Sequence, residues 1–274
     1  MDLIHKILAL AELAVRTRPH HLKLLYGIIN LPQASVRSLL EQIGQMQDHG
    51  HSGVIVPELT ALVRDAPSQY HLWYYNTNVW QKIRFLGNGL YKSVTDLWSY
   101  QEILFNVKPR LVVEFGCHTG GSTLFFSQIL RMIRPDSHVF SVDITLAYVP
   151  AKIRNDSHME FMECSSTDPK VYARISDLRR QYPGPVFFIL DSDHAKSHVL
   201  GELRALRAVT RKGDYIVVED SNINGHPVLP GWGEGPYEAI EAYRREFPQD
   251  YVLDREQEAK FGFTWAPQGF LMRQ

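Results

Sequence analysis

The sequence predicts an α/β protein with a doubly wound, mostly parallel open sheet, helices on both faces, and a helical N-terminal extension. Three observations carry this. VVEFGCHTGGST, residues 112–123, reads as a strand, a glycine-rich turn and the start of a helix. VFFILD (186–191) and DYIVVED (214–220) are apolar on both faces, as central parallel strands are. From residue 97 onward, strand and helix signals alternate.

The elements follow in order. Segments 3–16 and 35–46 are amphipathic and are separated by Pro19 and Pro32, with a weaker segment at 57–63. Leu3, Ile4, Ile7, Leu8, Ala11 and Val15 form one helical stripe. Such a stripe packs on the main domain or on a partner subunit. With Lys6, Arg16, Arg18 and Lys23 nearby, contact with a lipid surface is the other reading. The chain divides near residue 70, into an extension of 1–69 and a domain of 70–274. Residues 97–107 read as a helix ahead of the first strand, and another helix runs from Ser122 to about Arg134. Strands follow at 138–144 and 159–164, then the two apolar runs. Residues 236–247 form a helix with proline at its start. GFLMRQ is the last strand.

Composition narrows the class. The 274 residues are 45% hydrophobic and 22% charged, with a formal net charge of -1, so no basic excess points to nucleic acid. The two cysteines, Cys117 and Cys164, fall at strand ends and are expected to be reduced, small hydrophobes. No apolar run approaches the roughly eighteen residues that cross a membrane. Asp2 and Glu12 interrupt any signal-peptide pattern. The expectation is a cytoplasmic protein, with peripheral membrane association and homo-oligomerisation left open.

The glycine turn is spaced GxxxGG rather than GxGxxG, so it lacks the close second glycine of a pyrophosphate site. It suits S-adenosylmethionine (SAM), with glycines approaching the methionine part and Glu114 meeting its ammonium group. Asp143, near the end of the next strand, can accept both ribose hydroxyls. A solvated strand-end acid is the alternative. Ser165, Ser166 and Asp168 could meet the adenine, or simply begin a helix. The candidate cofactor-binding residues are thus Glu114, Gly116, Gly120, Ser122, Asp143, Ser165 and Asp191. Asp191, Glu219 and Asp220 close two strands, and if these strands are neighbours the three carboxylates converge beside the cofactor. Buried carboxylates cluster only with a cation or with raised pKa values. An all-oxygen set favours Mg²⁺ or Mn²⁺. His194, three residues past Asp191, is placed for a general base.

The strings LWYYNTNVW, KSVTDLWSYQEIL, LDSDHA, GDYIVVEDSNINGHPVLPG, GPYEAIEAY and APQGFL carry a resemblance. From about residue 70 to the end, the chain resembles the cephalosporin hydroxylase family of SAM-dependent methyltransferases. Within it, the chain is most similar to mycobacterial rhamnosyl O-methyltransferases of phenolic glycolipid synthesis. Asp191, His194, Glu219 and Asp220 also match, more distantly, the pattern of macrolide sugar O-methyltransferases, where the acids hold Mg²⁺ and the histidine acts as base. The resemblance implies a Rossmann-like class I methyltransferase fold. It also implies an acceptor that is a rhamnosyl or related deoxysugar of a glycolipid or glycosylated natural product. Mg²⁺ on Asp191, Glu219 and Asp220 would then grip two adjacent hydroxyls and acidify one, and His194 would take the proton.

In the polar loop 221–233, Asn222, Asn224 and His226 are candidates for sugar contacts; the alternative is a loop that only folds over the site. Trp73, Tyr74, Tyr75 and Trp80 either stack on sugar or lipid, or belong to a helix packed on the sheet. Two other functions stay open. An NAD-dependent oxidoreductase would also use an acid after the second strand, though the glycine spacing and the Glu219-Asp220 pair speak against it. A non-catalytic SAM-binding partner subunit would have no need of the metal acids.

Overall fold

The computed structural model describes residues 65–274, of which Ser68–Gln274 forms one compact unit. The amphipathic segments expected at 3–16, 35–46 and 57–63 lie outside the described residues. The chain opens with α1 (Ala66–Asn76), a 3-10 turn (Val79–Lys82), and a short hairpin of β1 (Arg84–Phe85) and β2 (Asn88–Gly89). Then come α2 (Val94–Val107), β3 (Leu111–Phe115), α3 (Gly121–Ile133), β4 (His138–Asp143), α4 (Ala151–Arg154) and β5 (Met159–Glu163). The second half holds α5 (Pro169–Gln181), β6 (Val186–Leu190), α6 (Lys196–Leu206), β7 (Tyr215–Val218), α7 (Pro236–Glu246), β8 (Tyr251–Leu253), α8 (Arg255–Ala259) and β9 (Phe270–Arg273).

Seven strands form one sheet in the order β5-β4-β3-β6-β7-β9-β8. Strands β3 to β7 pair in parallel, and β9 runs antiparallel to both β7 and β8. The sheet is doubly wound as expected. Within this sheet, β8 is the strand that sequence patterning did not reveal: it is three residues long and its middle residue, Val252, is exposed.

Helices cover both faces. From β6, Val186, Phe188 and Leu190 enter one core with Val171 and Ile175 of α5, Leu203 of α6 and Ile240 of α7. Phe187 and Ile189 enter a second core with Tyr100 and Leu104 of α2 and Phe126 and Leu130 of α3. Each such side chain contributes roughly 1.5–3 kcal/mol on burial, which is why these strands carry almost no polar residues.

Parallel register lines up the strand tips. Phe115 pairs with Val142 on one side and Leu190 on the other, and Leu190 pairs with Val218. The next residues, Gly116, Asp143, Asp191 and Glu219, therefore stand in a row along the carboxyl edge. The chain winds outward from β3 through β4 to β5, then crosses back to β6. The crevice between β3 and β6 is the switch point where ligands gather in open α/β sheets.

Candidate active site

A cleft of about 490 Å³ opens at this switch point, a size suited to a small-molecule ligand. Gly116, Ser122, Asp143, Ser166, Asp191, His194 and Asp220 all line it. At Gly116 (φ +85) a Cβ would overlap the Asp191 carbonyl, and at Gly121 one would overlap the Gly89 carbonyl. These glycines let the tips of β3 and β6 and the 88–92 strap pack backbone to backbone. Gly120 (φ +73) begins α3, and its missing Cβ leaves room for Val149. Gly116 lines the cleft, and Gly120 lies outside the lining.

Glu114 is fully buried on β3. Its Oε2 accepts hydrogen bonds from Thr123 Oγ1 (2.5 Å) and Ser141 Oγ (2.8 Å), and its Oε1 has no protein partner. Burial pushes its carboxyl up. It lies outside the cleft lining. Asp143 lines the cleft and also holds the turn: its Oδ2 accepts the N–H groups of Cys117 (2.9 Å) and His118 (2.8 Å). His118, in the left-handed region at φ +43, lies between Tyr91 and Tyr148 at the cleft wall. Ser165 bonds Thr167 and lies outside the lining, whereas its neighbour Ser166 lies inside. Asp168 caps α5 through the Lys170 N–H at 3.0 Å. Ser166 and Ser192 both donate to the fully buried Glu202, and His198 lies 2.9 Å from Ser166. Both cysteines are free, and both line the cleft.

The acids meet at the other end. Asp220 follows β7 with φ +51, an uncommon backbone state for a side chain larger than glycine. The turn sends its carboxylate back toward the loop after β6. His194 Nε2 lies 3.1 Å from Asp220 Oδ2 and 3.6 Å from Asp191 Oδ1. Burial pulls the His194 pKa down, but the Asp220 and Asp191 carboxylates outweigh it and hold the ring near about 9. Burial pushes Asp220 up to about 6, against the pull of His194.

Asp191, His194 and Asp220 each offer a ligand atom within 4.8 Å of the others. Asp220 Oδ1 is buried without a hydrogen-bond partner. Orphaned polar atoms of this kind are rare unless something else meets them, so this set fits a divalent cation. Glu219 stands apart. It is 3% exposed, lies outside the cleft lining, and its Oε1 is 2.8 Å from Lys92 Nζ. The same ammonium is 2.6 Å from Asp191 Oδ2. Burial alone would strip a proton from Lys92, but Asp191 and Glu219 hold it well above lysine's ordinary range. Asp191 is held low by that ammonium despite its burial.

No local pattern singles out Lys92. It sits in the strap before α2, whose N-cap is Ser93, and reaches acids 99 and 127 residues away. The three candidate sugar contacts of the 221–233 loop bond elsewhere in the protein. Asn222 is fully buried and donates to His71 Nε2 at 2.8 Å. Asn224 Nδ2 (2.9 Å) and His226 Nε2 (3.0 Å) both meet Glu238 Oε1, while Glu238 Oε2 accepts the Gly235 N–H at the start of α7. Asn222 fastens the loop to α1, Asn224 and His226 fasten it to α7, and none of the three lines the cleft. Of the aromatics, Trp80 lines it, Tyr74 is buried, and Trp73 is exposed on α1. No helix among the described residues is long and apolar enough to cross a membrane.

Residues 77–274 match the family model described as Rhamnosyl O-methyltransferase/CmcI. A rhamnosyl O-methyltransferase of Mycobacterium tuberculosis is 52% identical over 205 residues, which is 75% of this chain and 84% of that protein. One from Mycobacterium leprae is 50% identical over 205 residues, 75% of this chain and 89% of its own. A solved CmcI structure described as an Mg-SAM form superposes with a TM-score of 0.56 at 20% identity, over 71% of this chain and 77% of that one. An apo CmcI structure gives 0.55 at 21%, over 70% and 76%. At that identity the structures share the fold.

Proposed function

The chain belongs to the Rhamnosyl O-methyltransferase/CmcI family and is an O-methyltransferase, and from that premise we propose that it moves a methyl group from SAM to a sugar hydroxyl with the help of a divalent cation. The acceptor class is a rhamnosyl or related deoxysugar of a glycolipid or glycosylated natural product. The observation that carries the reading is the single cleft that joins the Asp143 end to the Asp191–His194–Asp220 end.

The chemistry needs little beyond placement. The sulfonium methyl is already electrophilic, so in-line alignment supplies much of the rate. The acceptor oxygen forms the new C–O bond as the S–C bond breaks, and its proton goes to His194 Nε2. Asp191 and Asp220 would hold Mg²⁺, which when bound would acidify the hydroxyl and offset the negative charge that otherwise keeps His194 protonated. Asp220, next to Nε2, then steadies the imidazolium that forms. Asp143 and the turn it braces support the ribose end of SAM. The test is transfer of labelled methyl from SAM onto rhamnosides in which each hydroxyl is blocked in turn. Loss of transfer with one blocked position identifies the acceptor hydroxyl. No transfer to any of them would remove the sugar from the reading.

A further inference from the structure

The segment before α2 gives the cleft an apolar wall. Trp80, Leu90 and Tyr91 all line it, and the next residue, Lys92, meets Asp191 at 2.6 Å. Leu90 is buried, whereas Trp80 and Tyr91 are half-buried. Trp80 sits in the 3-10 turn Val79–Lys82. Its indole N–H donates to the Tyr75 carbonyl at 3.2 Å. That N–H is the only polar group of the side chain, so the ring offers the cleft apolar carbon alone.

Aromatic neighbours fix the indole. Its ring lies 6.3 Å from Tyr75, 6.2 Å from Tyr91 and 5.9 Å from Trp265, the last two meeting it at 82°. Edge-to-face contacts of this kind are favourable and hold a ring in one orientation. Trp265 also ties the wall to the sheet. Its carbonyl accepts the Asn222 N–H at 3.2 Å, just past Asp220. Trp80 therefore stands toward the β7 end of the row of strand tips. Asp143, at the ribose end of SAM in the proposed reaction, closes β4 on the far side of β3 and β6. An apolar ring and a polar cluster of Asp191, His194 and Asp220 thus line one cleft, on the side away from Asp143.

We propose that Trp80 is an acceptor-binding residue that covers the apolar side of the sugar, the C6 methyl of a 6-deoxyhexose and the C–H groups beside it, while the sugar hydroxyls turn to the polar end of the cleft. This rests on the reading of the cleft as a sugar O-methyltransferase site. A deoxysugar is amphipathic, with hydroxyls on some edges and a methyl on another, and the cleft is divided in the same way. A 6-hydroxyl would be pressed against ring carbon with no partner, which weakens binding. An apolar surface rejects an added hydroxyl by up to about a hundredfold. Trp80 thereby sets the preference for a 6-deoxy over a 6-hydroxy acceptor.

Methyl α-L-rhamnopyranoside and methyl α-L-mannopyranoside, which differ only in the 6-hydroxyl, test this. With saturating SAM and Mg²⁺, the full-length protein should favour the rhamnoside by about tenfold or more in kcat/KM. Trp80→Ala should raise the rhamnoside KM about tenfold and change kcat less, the pattern of lost acceptor binding. Its preference between the two sugars should fall below about threefold, with SAM affinity by calorimetry within about twofold of wild type. Trp80→Phe should restore most of the preference. A second measurement needs no variant to fold: in wild type loaded with S-adenosylhomocysteine, NMR saturation transferred from aromatic protons to the rhamnoside should be strongest at the C6 methyl. An unchanged preference in Trp80→Ala, or saturation strongest elsewhere on the sugar, would overturn the proposal while leaving sugar methylation standing. Lost SAM affinity with an unchanged acceptor KM would place Trp80 against the cofactor and overturn it as well. Failure of wild type to methylate either sugar would remove the sugar reading, and the proposal with it.

Discussion

His194 Nε2 lies 3.1 Å from Asp220 Oδ2, so the loop after β6 and the tip of β7 meet at one nitrogen able to carry a proton. A positioned base typically contributes about 10²–10⁴-fold to turnover. His194→Ala should therefore slow methyl transfer by that order and leave SAM affinity nearly unchanged, as read by calorimetry beside steady-state kinetics. Near-normal turnover at neutral pH would move the base to another group, with Asp193, which also lines the cleft, examined next.

Asp143 joins cofactor binding to turn geometry. Asp143→Ala should weaken SAM by about 1–3 kcal/mol, the range for leaving hydrogen-bonding groups unpaired. It should also lower the melting temperature, because the Cys117 and His118 N–H groups lose their acceptor. A folded variant with unchanged SAM affinity would remove the ribose role.

Gly116 is fixed by backbone contact. Its φ is +85, and an added Cβ would overlap the Asp191 carbonyl across the β3–β6 seam. Gly116→Ala should destabilise the domain by about 3 kcal/mol, combining left-handed strain with overpacking. Urea unfolding reads this, and wild-type stability would show that the strand tips part easily.

The sheet was legible because central parallel strands must be apolar on both faces, and VFFIL and YIVV could hardly be anything else. The strand ends were legible for a related reason: Asp143, Asp191 and Asp220 are where the apolar runs stop. What stayed hidden depends on distant contacts. Lys92 acquires its meaning only from acids about a hundred residues away. Glu219 and Asp220 are adjacent in sequence, and only the left-handed turn at Asp220 shows which one enters the cleft. The 221–233 loop was polar enough to suggest sugar contacts, but its polarity is spent internally, on His71 and Glu238.

Asp96 supplies a pH signature in the stability of the fold. It is buried on α2 and accepts the Trp265 N–H at 2.8 Å. Burial raises its pKa to about 6, partly opposed by hydrogen bonds from Trp265, Thr264 and Ser93. The folded value lies above the unfolded one, near 3.8. The stability linked to this group is therefore complete below about pH 4 and is lost as pH rises to about 6. The loss is on the order of 2–3 kcal/mol. Asp96→Asn keeps an acceptor for Trp265 and removes the titration, so its stability relative to wild type should rise across that window. A difference that stays flat from pH 4 to 6 would show that Asp96 ionises normally.

The most direct measurement is methyl transfer from labelled SAM to a simple rhamnoside, made on untreated protein, on protein stripped with EDTA, and on stripped protein given Mg²⁺. Asp191, His194 and Asp220 each offer a ligand atom within 4.8 Å of the others, and the proposed transfer relies on a cation held there. The expected result is labelled rhamnoside from the untreated protein, none after stripping, and full recovery with Mg²⁺. Undiminished transfer by protein shown to hold no metal would contradict the account.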